Sequence, residues 1–208
     1  MRMYGDILTA ILKEKFIGII RTNVEETARR GAEAMIAGGA TVLEITLNTP
    51  GALSVISALQ DRDAVLIGAG TVLDEVSCRL AILNGAEFIV TPTLDEGVIA
   101  CANLYQKPVI CGCYTPTEIA HAMRLGVHLI KWFPANQCKP DVIAAIHGPL
   151  PQISIGPTGG VNLDNIRDWK KNGAAFFCVS GELSRLAQEG SYDELTERVK
   201  TYRQAVSE

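Results

Sequence analysis

Eight short runs rich in Val, Ile and Phe recur along this 208-residue chain, and any fold proposed for it has to accommodate their rhythm. They span 16–21, 41–47, 65–70, 87–92, 108–113, 128–134, 152–158 and 174–180. Their starts lie roughly 20 to 25 residues apart, which is room for one strand, two short loops and a helix of about 11 residues. The intervening segments carry helix signals. Residues 25–37 place Ala28, Ala32, Met35 and Ile36 against Arg29, Arg30 and Glu33, and Gly38-Gly39 stops the pattern. Asp74-Glu75 opens another helix that Asn84-Gly85 ends, Pro116 and Pro140 stand where first helical turns begin, and 164–171 runs into Asn172-Gly173. Strands apolar on both faces that alternate with helices imply a parallel sheet covered by helices. An open nucleotide-binding sheet usually follows its first strand with Gly-x-Gly-x-x-Gly, whereas this chain reads Ile20-Arg21-Thr22. The expected fold is therefore an α/β structure, a single (β/α)8 TIM barrel over residues 1–208, with an extra N-terminal helix. Ile7, Leu8, Ile11 and Leu12 give that helix an apolar side to cap the barrel bottom.

Composition removes several classes of function. With 48% apolar residues, 20% charged residues and a net charge of −4, the chain reads as globular, with no nucleic acid and no membrane surface as partner. Five Phe, five Tyr and two Trp form no ladder for stacking bases. The uncharged run 64–73 is far below the roughly 20 residues that span a bilayer. No signal peptide is read at the N-terminus, and six cysteines, with Cys101, Cys111, Cys113 and Cys178 inside apolar runs, point to reduced core residues and a cytoplasmic location. Cys111-x-Cys113 reads as packing rather than metal binding. His121, His128 and His147 fall on a helix, at a strand start and at a helix end, so no two are placed as metal ligands.

Charge inside a barrel strand marks a site. In the second run Val42, Glu44 and Thr46 share one face and Leu43, Ile45 and Leu47 the other; the all-apolar set faces the helices, so Glu44 points into the barrel. In the sixth, Lys131 shares its face with Leu129 and Phe133 and is the only lysine in the middle of a strand. One reading is a structural ion pair, which contributes little stability once desolvation is counted. The other is a lysine amine that attacks a carbonyl carbon to form a Schiff base while the carboxylate moves protons beside it. Both residues lie in the later halves of their strands, the end from which barrel enzymes draw catalytic groups.

Thr158-Gly159-Gly160 follows the seventh strand and Ser180-Gly181 the eighth, the loops that form the usual phosphate site of this fold. Arg21 ends the first strand on the Ile17, Ile19 face, where a guanidinium either clamps a substrate carboxylate or pairs with an acidic loop. Thr71 and Thr91, at strand ends, either donate hydroxyls to the same substrate or cap the following turns.

Five ordered fragments carry a family resemblance: Leu-Glu-Ile-Thr-Leu-Asn-Thr at 43–49, Gly-Ala-Gly-Thr at 68–71, Ile-Val-Thr-Pro at 89–92, Ile-Lys-Trp-Phe-Pro at 130–134 and Pro-Thr-Gly-Gly-Val at 157–161. Together they resemble the 2-keto-3-deoxy-6-phosphogluconate aldolase family, which includes 4-hydroxy-2-oxoglutarate and 6-phosphogalactonate-type aldolases. The resemblance implies a class I aldehyde-lyase, without metal or other cofactor and usually trimeric, that cleaves a 2-keto-3-deoxy-6-phosphosugar acid to pyruvate and glyceraldehyde 3-phosphate. It extends the expected substrates to 4-hydroxy-2-oxoglutarate. It makes Lys131 the Schiff-base lysine, Glu44 the general acid/base, Thr71 a contact of the pyruvyl carboxylate, Thr158 an influence on stereochemistry, and Gly159, Gly160, Ser180 and Gly181 the phosphate site. The chain departs from the pattern at Asn48, where many members carry a carboxylate-binding arginine, a task that passes to Arg21 as in the galactonate-type relatives. It departs again at Ser180-Gly181, where Gly-Ser is common, and at Cys111, where proline is common. Two alternatives stay open at this level: a phosphosugar isomerase or decarboxylase using Glu44 as base, and a non-catalytic phosphosugar-binding homologue.

Overall fold

The computed structural model describes residues 2–62 and 64–208. Eight strands, β1 Phe16–Ile20, β2 Val42–Thr46, β3 Leu66–Gly70, β4 Phe88–Val90, β5 Val109–Cys113, β6 Leu129–Trp132, β7 Ser154–Pro157 and β8 Phe177–Val179, alternate with helices. All pair in parallel, in the order β7-β6-β5-β4-β3-β2-β1-β8. The ring closes through a parallel bridge between Thr158 and Cys178 and a bond from Ala175 N–H to Ile155 O of 2.8 Å. This is the expected (β/α)8 barrel.

The helices are α1 Tyr4–Glu14, α2 Glu25–Ala37, α3 Ala52–Leu59, α4 Glu75–Leu83, α5 Glu96–Leu104, α6 Pro116–Arg124, α7 Asp141–His147, α8 Ile166–Lys171, α9 Gly181–Gln188 and α10 Tyr192–Ser207. Three of them start where a side chain replaces the missing acceptor: Asp74, Asp95 and Thr115 accept from the N–H groups of Ser77, Val98 and Glu118. Two helix starts differ from the sequence expectation. Asn162 and Asn165 exchange side-chain to backbone bonds that hold 162–165 as a turn, so α8 begins at Ile166 rather than at 164. Pro140 precedes the first turn of α7 instead of occupying it.

Strands are shorter than the apolar runs because their ends leave the ladder to enter loops. Around β4 the pairing continues one residue either way, from Glu87 N–H to Ile67 O and from Thr91 N–H to Ile110 O. The charged stretch 193–203 reaches back into the fold: Arg203 pairs with Glu14 at 2.6 Å and Arg198 with Glu182 at 3.2 Å. Cys101 differs too, lying half-buried on α5 while Cys78, Cys111, Cys113 and Cys178 are buried.

Two apolar regions result. One lies between sheet and helices; the other fills the barrel itself and contains Ile17, Ile19, Val42, Leu66, Phe88, Val90, Ile110, Leu129, Phe176 and Cys178. Glycines make room for its two rings, since a Cβ at Gly68 would overlap Phe88 and one at Gly156 would overlap Phe176. Ile7 and Ile11 of α1, one turn apart and wholly buried, complete the same cluster from below. The N-terminal helix thus plugs the barrel bottom, and only the ends of the strands from which the βα loops leave remain open. Truncating a plug residue leaves a void that the rigid barrel closes poorly. Ile11→Ala is expected to destabilise the fold by about 2–5 kcal/mol, read as a lowered urea midpoint with an unchanged slope.

Candidate active site

Glu44 stands on β2 opposite Ile19 and Gly68, 1% exposed. A Cβ at Gly70 would overlap its carboxylate, so the bare end of β3 is what admits the side chain. Lys131 stands on β6 between Gly112 of β5 and Gly156 of β7, 6% exposed. Glycine thus clears the volume for Glu44, whereas Gly112 and Gly156 beside Lys131 make room for the Pro92 backbone and the Phe176 ring. The Lys131 ammonium lies 5.1 Å from the Phe133 ring centre, and the Phe133–Pro134 peptide that follows is cis.

The carboxylate and the amine are not in direct contact. Glu44 Oε2 and the Thr158 hydroxyl are buried without a hydrogen-bond partner in the protein. Burial pushes the Glu44 carboxyl above the usual carboxylate range, against the opposing attraction of Lys131 and, more weakly, Arg21. Burial and the Glu44 charge likewise push the neighbouring Cys178 thiol up, to about 12, which keeps it protonated at neutral pH. The structural ion-pair reading of Glu44 and Lys131 does not describe this arrangement.

Arg21 extends from the end of β1 with an exposed side chain, close enough for its charge to act on Glu44. Its backbone is fastened to α9: Arg21 N–H donates to Ser184 Oγ at 3.1 Å, Ser184 Oγ donates to Ile19 O at 3.1 Å, and Gln188 donates to Arg21 O at 3.1 Å. A second fastening escaped the sequence reading. Thr46 Oγ1 donates to Ile20 O, and Thr49 Oγ1 accepts from Thr22 N–H, so the ends of β1 and β2 are locked beside each other. The alternation that placed Thr46 inside the barrel was visible in the sequence; its partner across the strand was not.

Thr71, at the end of β3, holds φ 55°, a left-handed conformation that a β-branched residue rarely adopts. Thr91 is fully buried and its Oγ1 accepts the Gly112 N–H at 3.2 Å, which commits it to the strand beside Lys131. After β7, Gly159 and Gly160 hold φ 91° and 79°, and side-chain amides of Asn162 and Asn165 bind Gly160 O. These glycines, with Ser180, Gly181, Glu182 and Arg198, line a cleft of about 610 Å3 at the N-terminus of α9. The residues expected at the site thus fall into a buried centre, a rim at Arg21 and Thr71, and this adjoining cleft.

A (β/α)8 barrel with one buried lysine beside one buried carboxylate at its open end has the architecture of class I aldolases, the enzymes that work through a lysine amine. The description "KDPG and KHG aldolase" belongs to the family whose model matches residues 7–198, and the chain belongs to that family. A 2-dehydro-3-deoxy-6-phosphogalactonate aldolase of Escherichia coli strain K12 is 34% identical over 93% of this chain and 97% of its own length. A 2-dehydro-3-deoxy-phosphogluconate aldolase of Pseudomonas aeruginosa is 37% identical over 77% of this chain and 74% of its own. Among solved structures, KDPG aldolase from Legionella pneumophila, with pyruvate captured at low pH as a covalent carbinolamine intermediate, superposes with a TM-score of 0.83 at 28% identity. That match covers 92% of this chain and 95% of the Legionella chain.

A carboxyl that ionises less readily in the folded than in the unfolded chain weakens the fold once it is charged. The penalty is absent below the unfolded-state value of about 4.3 and grows as pH rises through the higher folded-state value. Glu44→Gln is therefore expected to raise Tm at about pH 8 and to lose that advantage by about pH 4, in thermal melts across the pH series.

Proposed function

We propose that this protein cleaves a 2-keto-3-deoxy-6-phosphosugar acid of the gluconate or galactonate type into pyruvate and glyceraldehyde 3-phosphate. The barrel, residues 1–208, acts as one unit. The observation that carries the reading is the buried Lys131 amine beside a Glu44 carboxyl with an unpartnered oxygen. A buried polar atom without a partner is costly, and a reacting group supplies one.

The amine of Lys131 adds to the C2 ketone, and the carbinolamine hydroxyl takes a proton from the Glu44 carboxyl and leaves as water, which gives an iminium bonded to Nζ and a Glu44 carboxylate. The Glu44 carboxylate takes the C4 hydroxyl proton as the C3–C4 bond breaks. The bond's electron pair moves to C3 and is stabilised as an enamine, and the aldehyde leaves. Glu44 returns the proton to C3, and water hydrolyses the iminium to release pyruvate and the amine, with the proton set free taken up by the Glu44 carboxylate. A carboxyl held above its ordinary range suits a group that must both take and return a proton. Arg21 and Thr71 hold the pyruvyl carboxylate from the rim, and Thr158 offers its free hydroxyl to the reacting carbons. The amides around Gly159, Gly160 and Gly181, with Ser180 at the α9 N-terminus, receive the phosphate. 4-Hydroxy-2-oxoglutarate has the same 2-keto group and C4 hydroxyl and enters the same cycle. The carbinolamine captured in the Legionella relative supports the first step.

Incubation with pyruvate and borohydride, followed by peptide mapping, is expected to place a reduced adduct on Lys131. Lys131→Met is expected to fold and to lose at least about 10³-fold in pyruvate release. A folded protein without adduct would instead favour an isomerase, a decarboxylase or a binding protein.

We also infer a homotrimer in the cytoplasm. No helix among the described residues is long and apolar enough to cross a membrane. Free cysteines, including Cys111 and Cys113 with sulfurs 4.0 Å apart and unlinked, fit a reducing compartment. On α4 and α5, Val76, Leu80, Leu83 and Leu104 expose a continuous apolar face, which a soluble chain ordinarily covers with another copy. Leu83→Asp is expected to convert the trimer to the 22.4 kDa protomer in light scattering.

A further inference from the structure

The cleft after β7 and β8 combines groups that attract an anion with groups that repel one. Backbone amides at Gly159, Gly160 and Gly181 favour negative charge. Glu182, the second residue of α9, puts a carboxylate into the same wall, and Asp164 adds another. The two arginines of the lining are already engaged. Arg185 bonds Glu189 at 2.5 Å, and Arg198 forms ion pairs with Glu182 at 3.2 Å and Glu194 at 3.6 Å. Nor is Glu182 free to swing away, because its Oε2 accepts a 2.8 Å bond from the hydroxyl of Tyr202, a wholly buried ring on α10. A phosphate dianion entering this cleft therefore meets a carboxylate fixed in place and arginines whose charge is largely balanced.

We propose that Glu182 is a specificity-determining residue of this site: its charge sets how strongly the enzyme prefers a phosphorylated substrate over the same sugar acid without phosphate. This rests on the aldolase reading above. The preference is the ratio of kcat/KM for 2-keto-3-deoxy-6-phosphogluconate to that for 2-keto-3-deoxygluconate. Glu182→Gln removes the charge and keeps an acceptor for Tyr202, and is expected to raise that ratio about tenfold at low salt. The gain shrinks in about 0.5 M NaCl, where exposed charges are screened within a few ångströms. Arg198→Gln leaves Glu182 unbalanced and is expected to lower the ratio. The double variant restores local charge and is expected to return within about twofold of the parent, an outcome that lost packing would not produce. An unchanged ratio in Glu182→Gln, or movement in the same direction in both single variants, overturns the proposal. Borohydride trapping of pyruvate on Lys131 separates the two failures. With the adduct present in the parent chain and the ratio unmoved, only the role of Glu182 falls; without the adduct, the aldolase reading falls and this inference with it.

Discussion

A carboxyl with an unpartnered oxygen, buried within reach of a lysine's field but not bonded to it, is the constraint around which this barrel is arranged. Such a group resists desolvation, and it persists only where its surroundings are too rigid to collapse onto it. The rigidity has identifiable sources. Gly70 clears space for the Glu44 carboxylate, Gly68 and Gly156 for the two interior rings and Gly112 for the Pro92 backbone, and the Thr46 and Thr49 hydroxyls lock the strand ends that carry Arg21 and Glu44. The α1 plug shuts the opposite end of the barrel, which leaves the reacting centre exposed on one side alone.

The same economy of side chains distinguishes what each part of the barrel does. Below the centre, Phe88 and Phe176 fill the volume their glycine neighbours leave, and that layer is core. At the end of β3, Gly70 leaves the same kind of space to the Glu44 carboxylate instead of a ring. A position that would otherwise take Leu or Ile carries charge, and the apolar filling beneath it supplies the low dielectric that makes the charge useful.

Much of this was legible in the chain itself. The spacing of eight apolar runs and the lack of a dinucleotide turn were enough to indicate a closed barrel, and period-two alternation was enough to turn Glu44 and Lys131 inward, because both signals are local. Contacts between residues distant in sequence were not legible. The clamp from Ser184 and Gln188 onto the end of β1 spans more than 160 residues, and nothing in either segment announces the other. The start of α8 differs from the expected one because reciprocal asparagine bonds compete with the first helical turn, and nothing in 193–203 indicates that Arg198 and Arg203 reach back to α9 and α1. Side-chain chemistry decides such points only once the partner is in place.

Helix α9 touches both ends of the site. Its N-terminus, at Ser180 and Gly181, borders the cleft after β8, and one turn further on Ser184 grips the backbone at Arg21. In a helix that advances 1.5 Å per residue, the interval between those two points is set to about 6 Å by peptide geometry and not by any adjustable loop. The two points therefore move as one body: a shift of the α9 N-terminus at the cleft is carried directly to the backbone at Arg21, with no flexible segment between them to absorb it.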